Sequence, residues 1–570
     1  MIFNFEITLL FKAFNTNIFI VLKRFSLQFL FYQSVTFPTH KYKPGYISQS
    51  GIVMNGYLMF ALALTPLLLM VFLILKLKMP IHYSVLISLA FTSALSVIFW
   101  GMPLQDLEAS IGYGALKGLW PIVIVILGAI FSYNVMQATK ALDILRDTLA
   151  SISDDKRIQV LLISWCFGGF LEAAAGYGTA VAIPIGILVA LGFSPLKAAI
   201  ASLVANTVPT AFGAVGIPVS ILAEQVNLPV YALGGTIILQ LALFNILLPF
   251  VIVCIVGGGL KAIRGVFLIT LLCGITTLIP QYFVAIHLGA ELPAFAGSLV
   301  SLFVVAIASR LRKGKTDPEW RIETSHNRET TPRSPMVLFR VGSIYLFIFV
   351  FILLCSPLFP TIKAAASQWA SVLHFTLASG QTLALKAEWI TTPGMLIIFA
   401  TIIGGFIQGA SARGMLEVFV RTILQLKNSI VAIMAIVALA TVMDLSGIIS
   451  TLAQSIVDLT GSSYVFLAPV IGALGTFITG SDTNSNILFG KLQTIAAGKL
   501  DIDPNWLAAA NTSGATGGKM ISPQSIAIAV SATKMEDQAD QIMSGTMKYC
   551  CAYIVILGLK VGLFYYWFMA

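Results

Sequence analysis

Two stretches of this chain carry the same polar and helix-breaking residues at the same spacing. Asn206-Thr207 is followed by Gly213 and Pro218, and Asn511-Thr512 by Gly518 and Pro523; the glycine stands seven residues on and the proline twelve in both. Upstream, Gly176-Tyr177-Gly178-Thr179 corresponds to Gly480-Ser481-Asp482-Thr483. Proline ends a helical hydrogen-bond ladder, glycine allows close backbone approach, and Asn and Thr can satisfy the freed groups. A broken helix presents unpaired N–H groups and a positive dipole end, which suit a small anion. The candidate binding residues are Thr179, Asn206, Thr207 and Gly213 in the first copy. In the second they are Thr483, Asn484, Asn511, Thr512, Ser513, Gly518, Lys519 and Ser522. The same small and polar residues would also serve helix packing.

Four charged residues lie in or beside apolar sequence. Lys519 reads as a counter-charge for a carboxylate, or as a lysine reaching the cytoplasmic edge. Glu172, Asp482 and Asp444 read as carboxyls that could carry a proton, or as interfacial groups facing water. Glu172 is the most enclosed by apolar residues and adjoins the first glycine cluster. An ionised Asp482 beside a bound anion would repel it, so a proton or a cation would be required there. The six cysteines fall in apolar stretches without metal-ligand spacing, and the five histidines are scattered. No metal site, catalytic cluster, nucleotide-binding motif or cofactor is expected.

The elements that must position these residues follow from composition. The 570 residues are 58% hydrophobic and 10% charged, against about 25% charged in soluble domains; mean hydropathy is +0.92. Open sheets leave backbone groups unpaired in lipid, so runs of about 20 apolar residues must be helices. Tyr57–Lys76, Ile81–Trp100, Gly118–Ala138, Tyr231–Gly258, Gly265–His287, Leu292–Ser309, Met336–Cys355, Pro393–Gly409 and Tyr549–Phe568 supply such runs. Ser429–Val442 and Tyr464–Gly480 are shorter, while Ile158–Ala175, Gly176–Leu191 and Leu196–Val215 are interrupted by Gly and Pro. The expected fold is an all-α polytopic membrane protein of about 12–14 transmembrane helices, with two inverted repeats containing broken or re-entrant helices.

The formal charge of +10 points to topology and not to nucleic acid. Lys76 and Lys78, Lys140 to Arg157, Lys261 and Arg264, the cluster from Arg310 to Arg333, and Arg413 to Lys427 all fall in connections. Alternating through the spans, with the three interrupted segments each crossing, puts every one of them on the cytoplasmic side, as the positive-inside rule requires. The two copies then enter from opposite sides, as in the inverted repeats of secondary transporters. The organisation reads as a first transmembrane half over 54–310, a basic loop over 311–335 and a second half over 336–570. Pro360–Glu388 is expected outside. Residues 1–53, Phe-rich with Lys12, Lys23 and Arg24, read as an upstream extension before Met54, or as an extra amphipathic segment.

The motifs identify a resemblance. Gly118-Leu119-Trp120-Pro121, Phe170-Leu171-Glu172-Ala173-Ala174-Ala175-Gly176-Tyr177-Gly178-Thr179 and Leu203-Val204-Ala205-Asn206-Thr207 are similar to the lactate permease family. So are Phe212-Gly213-Ala214-Val215-Gly216-Ile217-Pro218, Thr479-Gly480-Ser481-Asp482-Thr483-Asn484-Ser485-Asn486 and Gly518-Lys519-Met520-Ile521-Ser522-Pro523-Gln524-Ser525. The likeness runs from about Met54 to the C-terminus. It implies proton-coupled inner-membrane uptake of lactate and, in some members, glycolate, with a small monocarboxylate, protons and the lipid bilayer as partners. A membrane-embedded enzyme would want a nucleophile beside a base, and none is visible. A channel and a carrier of another carboxylate remain as rivals. A dicarboxylate should want a second cationic pole, yet Ala214 stands where the repeat spacing would put a partner to Lys519.

Overall fold

The structure is a computed structural model describing residues 56–176, 178–312, 316–322, 334–535 and 538–568. The expectation for residues 1–53, and Lys313, Lys315, Arg328 and Arg333 of the basic loop, lie outside the described residues. Among those described, eleven helices are by length and composition apolar enough to cross a membrane, and a helix pair bent by 55° would make a twelfth.

The first half begins with three long helices, α1 (Gly56–Lys76), α2 (Ile81–Trp100) and α3 (Leu104–Ala138). It continues with α4 (Lys156–Ala174) and the shorter apolar α5 (Thr179–Ala190). The bent pair follows as α6 (Pro195–Ala205) and α7 (Gly213–Val226). Helices α8 (Val230–Gly257), α9 (Phe267–Leu288) and α10 (Pro293–Leu311) complete this half. The second half opens with α11 (Pro335–Leu354), α12 (Pro393–Gln408) and α13 (Ala412–Leu445). The remaining helices are α14 (Ile448–Thr460), α15 (Tyr464–Thr479), α16 (Asp482–Leu500), α17 (Pro504–Lys519), α18 (Pro523–Thr533) and α19 (Ala539–Phe568). Six of these start on proline, whose fixed φ and missing N–H suit the first helical position. Side-chain caps from Asp155, Ser334, Ser411, Ser481, Asp503 and Ser522 take up further free N–H groups.

Two differences from the expected spans have a common cause. Gly118–Ala138 is the later part of the longer α3, which runs on from Leu104 with an interruption at the non-helical Trp120, and Arg413 to Lys427 form the start of α13 instead of a connection. Hydropathy marks where lipid is, not where a helix ends. The strands β1 (Ala370–Thr376) and β2 (Thr382–Glu388) form an antiparallel hairpin with Leu373 opposite Leu385. It rests on the first turns of α3: the Ala378 N–H donates to Asp106 at 2.6 Å, and Gln105 Nε2 to the Thr376 carbonyl at 3.2 Å.

The interrupted segments are not three successive crossings. Helix α5 folds back along α4, with Gly168 against Ala180 and Pro184. In the second half α16 folds back along α15: Ser485 Oγ donates to the Gly472 carbonyl at 2.7 Å, and Tyr464 to Gln493 at 2.8 Å. Each pair is a re-entrant hairpin whose tip is a glycine turn, followed by a broken crossing, α6/α7 or α17/α18. A hairpin crosses no side, so replacing two crossings by one hairpin leaves every later loop where alternation put it.

Opposite orientation of the units follows from their contacts with α8. Lys197, at the start of α6, donates to the carbonyl of Val256 near the C-terminal end of α8 at 3.2 Å. Gln240, well toward its other end, donates to the carbonyl of Trp506 at the start of α17 at 2.9 Å. Sixteen residues of helix separate these contacts, or roughly 24 Å. The α6 end also gathers the basic connections. Arg157 pairs with Asp155 at 2.7 Å, fully buried, donates to the carbonyls of Ala262 and Arg264, and lies over Trp320. The two units pack through a small apolar cluster of Val181, Ile185, Ala199 and Leu203 with Ile526, Ala529 and Ile542.

Candidate functional site

Four helix breaks converge on one cavity of about 290 Å³. At the tip of the first hairpin, Gly176 and Gly178 take positive φ values of 58° and 82°, and Thr179 Oγ1 donates to the Gly176 carbonyl at 2.8 Å. At the tip of the second, Gly480 has φ 71° and Ser481 caps α16. Between α6 and α7 the chain makes a short 3-10 turn over Pro209–Phe212, then a left-handed turn through Ala214, Val215 and Gly216. Between α17 and α18 only Met520 to Ser522 intervene, and Ser522 caps α18. The N-terminal ends of α5, α7, α16 and α18 therefore face the cavity through Gly178, Pro218, Thr483 and Ser525, with the left-handed turn at Ala214 beside them.

The charged groups come from both halves. Lys519, the last residue of α17, places Nζ 2.8 Å from Oε1 of Glu172 on α4; their side chains are 13% and 2% exposed. Nothing covalent or local brings them together, since 347 residues separate them. Gly213 makes room for this pair, because a Cβ there would lie 2.6 Å from Glu172 Oε1. Asp482, the first residue of α16, is buried in the same cavity. Among the described residues neither of its oxygens, nor Glu172 Oε2, has a hydrogen-bond partner. A buried pair gains from Coulomb attraction only when its geometry is good, and removing one member leaves a costly charge.

The sequence-based candidates divide by location. Gly213, Thr483, Asn484, Lys519, Glu172 and Asp482 line the cavity. Thr179 and Ser522 shape two of the breaks. Asn206 donates to Thr210 at 3.2 Å and Thr207 lies against the Leu203 carbonyl, both in the wall behind the cavity. Asn511 and Thr512 reach Asn486 Oδ1 at 2.9 and 3.0 Å, and Asn486 donates to the Pro218 carbonyl at 3.0 Å. That network joins α16 and α17 to α7. Ser513 accepts at its carbonyl from Tyr553, and Gly518 abuts the Ala473 carbonyl. Asp444 stands apart at the end of α13, near Lys491 and Lys117; Lys117 pairs with Glu224 at 3.1 Å. Thr210, Gln524 and Ser525 line the cavity and were not singled out from sequence. The Ser522-Pro523 helix-start signal could have found the last two, as it puts them in the first turn of a helix.

The fold and cavity define a polytopic membrane protein whose buried polar site is built from the breaks of two oppositely oriented units. The model of the L-lactate permease family matches residues 59–568, and the chain belongs to that family. An L-lactate permease of Streptococcus iniae is 41% identical over 455 residues, covering 79% of this chain and 93% of that protein. Glycolate permease GlcA of Escherichia coli K12 is 33% identical over 544 residues, covering 90% and 97%. An L-lactate permease of Bacillus subtilis is 34% identical over 506 residues, covering 83% and 90%. The solved YdaH transporter of Alcanivorax borkumensis superposes at a TM-score of 0.41 with 13% identity, covering 79% of this chain and 86% of that one. The relatives are permeases, and this multi-pass membrane protein is a transport protein and not an enzyme.

Proposed function

We propose that the protein imports L-lactate, with D-lactate and glycolate as related substrates, by proton symport across the bacterial inner membrane. The observation that carries this reading is the Lys519–Glu172 pair in a cavity lined by the first turns of four helices. Free N–H groups and the hydroxyls of Thr483 and Ser525 replace the water around a carboxylate and its neighbouring hydroxyl. Lys519 is the one cation among the described lining residues, which suits a monocarboxylate over a dicarboxylate.

The pair also supplies a coupling device. Lactate is an anion at neutral pH, and moving one charge against the membrane potential costs about 2.3 kcal/mol per 100 mV. While Glu172 is ionised it occupies Lys519. A proton taken up from outside neutralises Glu172 and frees Lys519 for the substrate carboxylate. Release of lactate inside lets Glu172 lose its proton and re-form the pair. Inverted units with paired breaks at the site suit alternating exposure to the two sides.

The test is uptake of labelled lactate by purified protein in liposomes. An acid exterior should drive accumulation, glycolate should compete, and succinate should compete poorly. Competition by succinate equal to that by lactate would overturn the monocarboxylate assignment. Strict sodium dependence without response to pH would replace the proton by another cation.

A further inference from the structure

The symport cycle above uses Glu172 and Lys519 and leaves the other buried carboxyl of the cavity without a task. Asp482 is 3% exposed, and among the described residues neither of its oxygens accepts a hydrogen bond. The charged groups facing it are Lys519 from α17 and Glu172 from α4, with the Tyr553 hydroxyl from α19 as a further neighbour. Helix α18 presents Gln524 and Ser525, the first break presents Thr210 and Ala214, and α13 presents Ser429, none of which titrates. Lys519 is committed to Glu172 at 2.8 Å.

A charge count follows. The cavity holds two carboxyls and one ammonium, so an added monocarboxylate brings three anionic groups against one cation. The helix N-termini seat the substrate carboxylate locally, but each break also brings a C-terminal end with partial charge of opposite sign, so the dipoles add no net counter-charge. Buried charges without partners are costly enough that a carboxyl takes a proton instead. With Glu172 and Asp482 both protonated, Lys519 and the substrate balance. Once the substrate leaves, Lys519 faces both carboxyls, and both release their protons to the water that enters from the inside.

We infer that the carrier binds two protons with each monocarboxylate, the second on Asp482, and moves one net positive charge inward per cycle. The inference rests on the proton-symport reading, and the experiment separates the two. Wild-type protein is placed in liposomes with equal pH on both sides and a potassium diffusion potential of about 100 mV, inside negative. Two-proton symport accumulates labelled lactate about 50-fold at equilibrium, whereas one-to-one symport accumulates none. Acid-driven accumulation with no response to voltage overturns the second proton and leaves the symporter standing. No uptake under either gradient overturns the symporter and this inference with it. Asp482→Asn should lose voltage-driven accumulation while keeping acid-driven accumulation of about tenfold per pH unit. An Asp482→Asn carrier that still responds to voltage places the proton elsewhere and overturns the assignment. If Asp482→Asn fails to insert, the wild-type voltage measurement decides alone.

Discussion

The first broken-helix unit brings Glu172 to the cavity among glycine, alanine and threonine, whereas the second brings Lys519, Asp482, Thr483, Asn484, Gln524 and Ser525. Their breaks also differ in register. Aligned on Asn, Gly and Pro, the first unit interrupts its helix from Asn206 to Gly216, where the second continues unbroken from Asn511 to Lys519. The second unit breaks only after Lys519, and that extra helix carries the lysine to the cavity. A shared architecture can thus hold unlike chemistry: one unit supplies an open backbone and one carboxyl, the other the ammonium, a second carboxyl and most of the polar side chains.

The division is broken most severely at the ion pair. Glu172→Gln should lose the proton that Glu172 carries, so accumulation driven by a pH gradient at zero voltage should fall from about 100-fold to about tenfold per pH unit, the part left to Asp482, while lactate–lactate exchange persists because exchange need not release the proton. Normal acid-driven accumulation by this variant would move the coupling role to Asp482 or Asp444. Lys519→Met should next raise the apparent KM by about 10- to 100-fold, since a hydrogen bond to a charged group contributes about 1.5–3 kcal/mol. The measurement is saturation of uptake at matched amounts of inserted protein. Unchanged saturation would remove the lysine from substrate binding and leave it only a structural partner of Glu172.

The repeat-related glycines sharpen the same contrast. Gly213→Ala would press a Cβ onto Glu172 Oε1, so it should weaken coupling and raise the KM severalfold with little change in melting temperature. Gly518→Ala would press a Cβ into the Ala473 carbonyl oxygen, a backbone atom that cannot turn aside. Overpacking of this kind costs about 1–3 kcal/mol, so its first effect should be on thermal stability in detergent. Equal effects of the two on both readouts would show that the glycines share one duty after all.

Much of this was legible in the residues and some was not. Apolar runs and basic connections gave the class and the sidedness, since lipid permits helices and little else. The Gly-x-Gly-Thr and Gly-Ser-Asp-Thr stretches marked both hairpin tips, because a left-handed turn wants glycine. What hydropathy could not separate is a hairpin limb from a crossing: α5 is as apolar as a true span, and only its packing on α4 shows that it returns. The Lys519–Glu172 contact is tertiary over 347 residues and left no local signal. The asparagines read as ligands because the repeat sets them beside helix breaks, yet Asn511 commits its side chain to Asn486 and Gln493 of a neighbouring helix.

The smallest expected effect concerns those asparagines. The Asn511 amide donates to Asn486 Oδ1 at 2.9 Å and accepts from Gln493 at 3.2 Å, both in fully buried surroundings. Asn511→Ala removes both bonds, although Asn486 Oδ1 keeps Thr512 and Gln493 Nε2 keeps the Ala468 carbonyl; two lost hydrogen bonds cost about 0.5–1.5 kcal/mol each. Its melting temperature should fall clearly, and transport with it, since Asn486 holds the Pro218 carbonyl and so ties the second unit to the first. Asn206 has one side-chain bond, to Thr210 Oγ1 at 3.2 Å. Thr210 keeps its stronger bond, to the Asn206 backbone carbonyl at 2.6 Å, whatever the side chain. Asn206→Ala should therefore cost about 0.5–1.5 kcal/mol and change uptake less than Asn511→Ala. If Asn206→Ala instead cost as much transport as Asn511→Ala while melting like the wild type, its amide would have a partner during the cycle. Its Oδ1, buried without a partner among the described residues, would be the atom that meets it, and the two units would be functionally symmetric where their resting contacts are not.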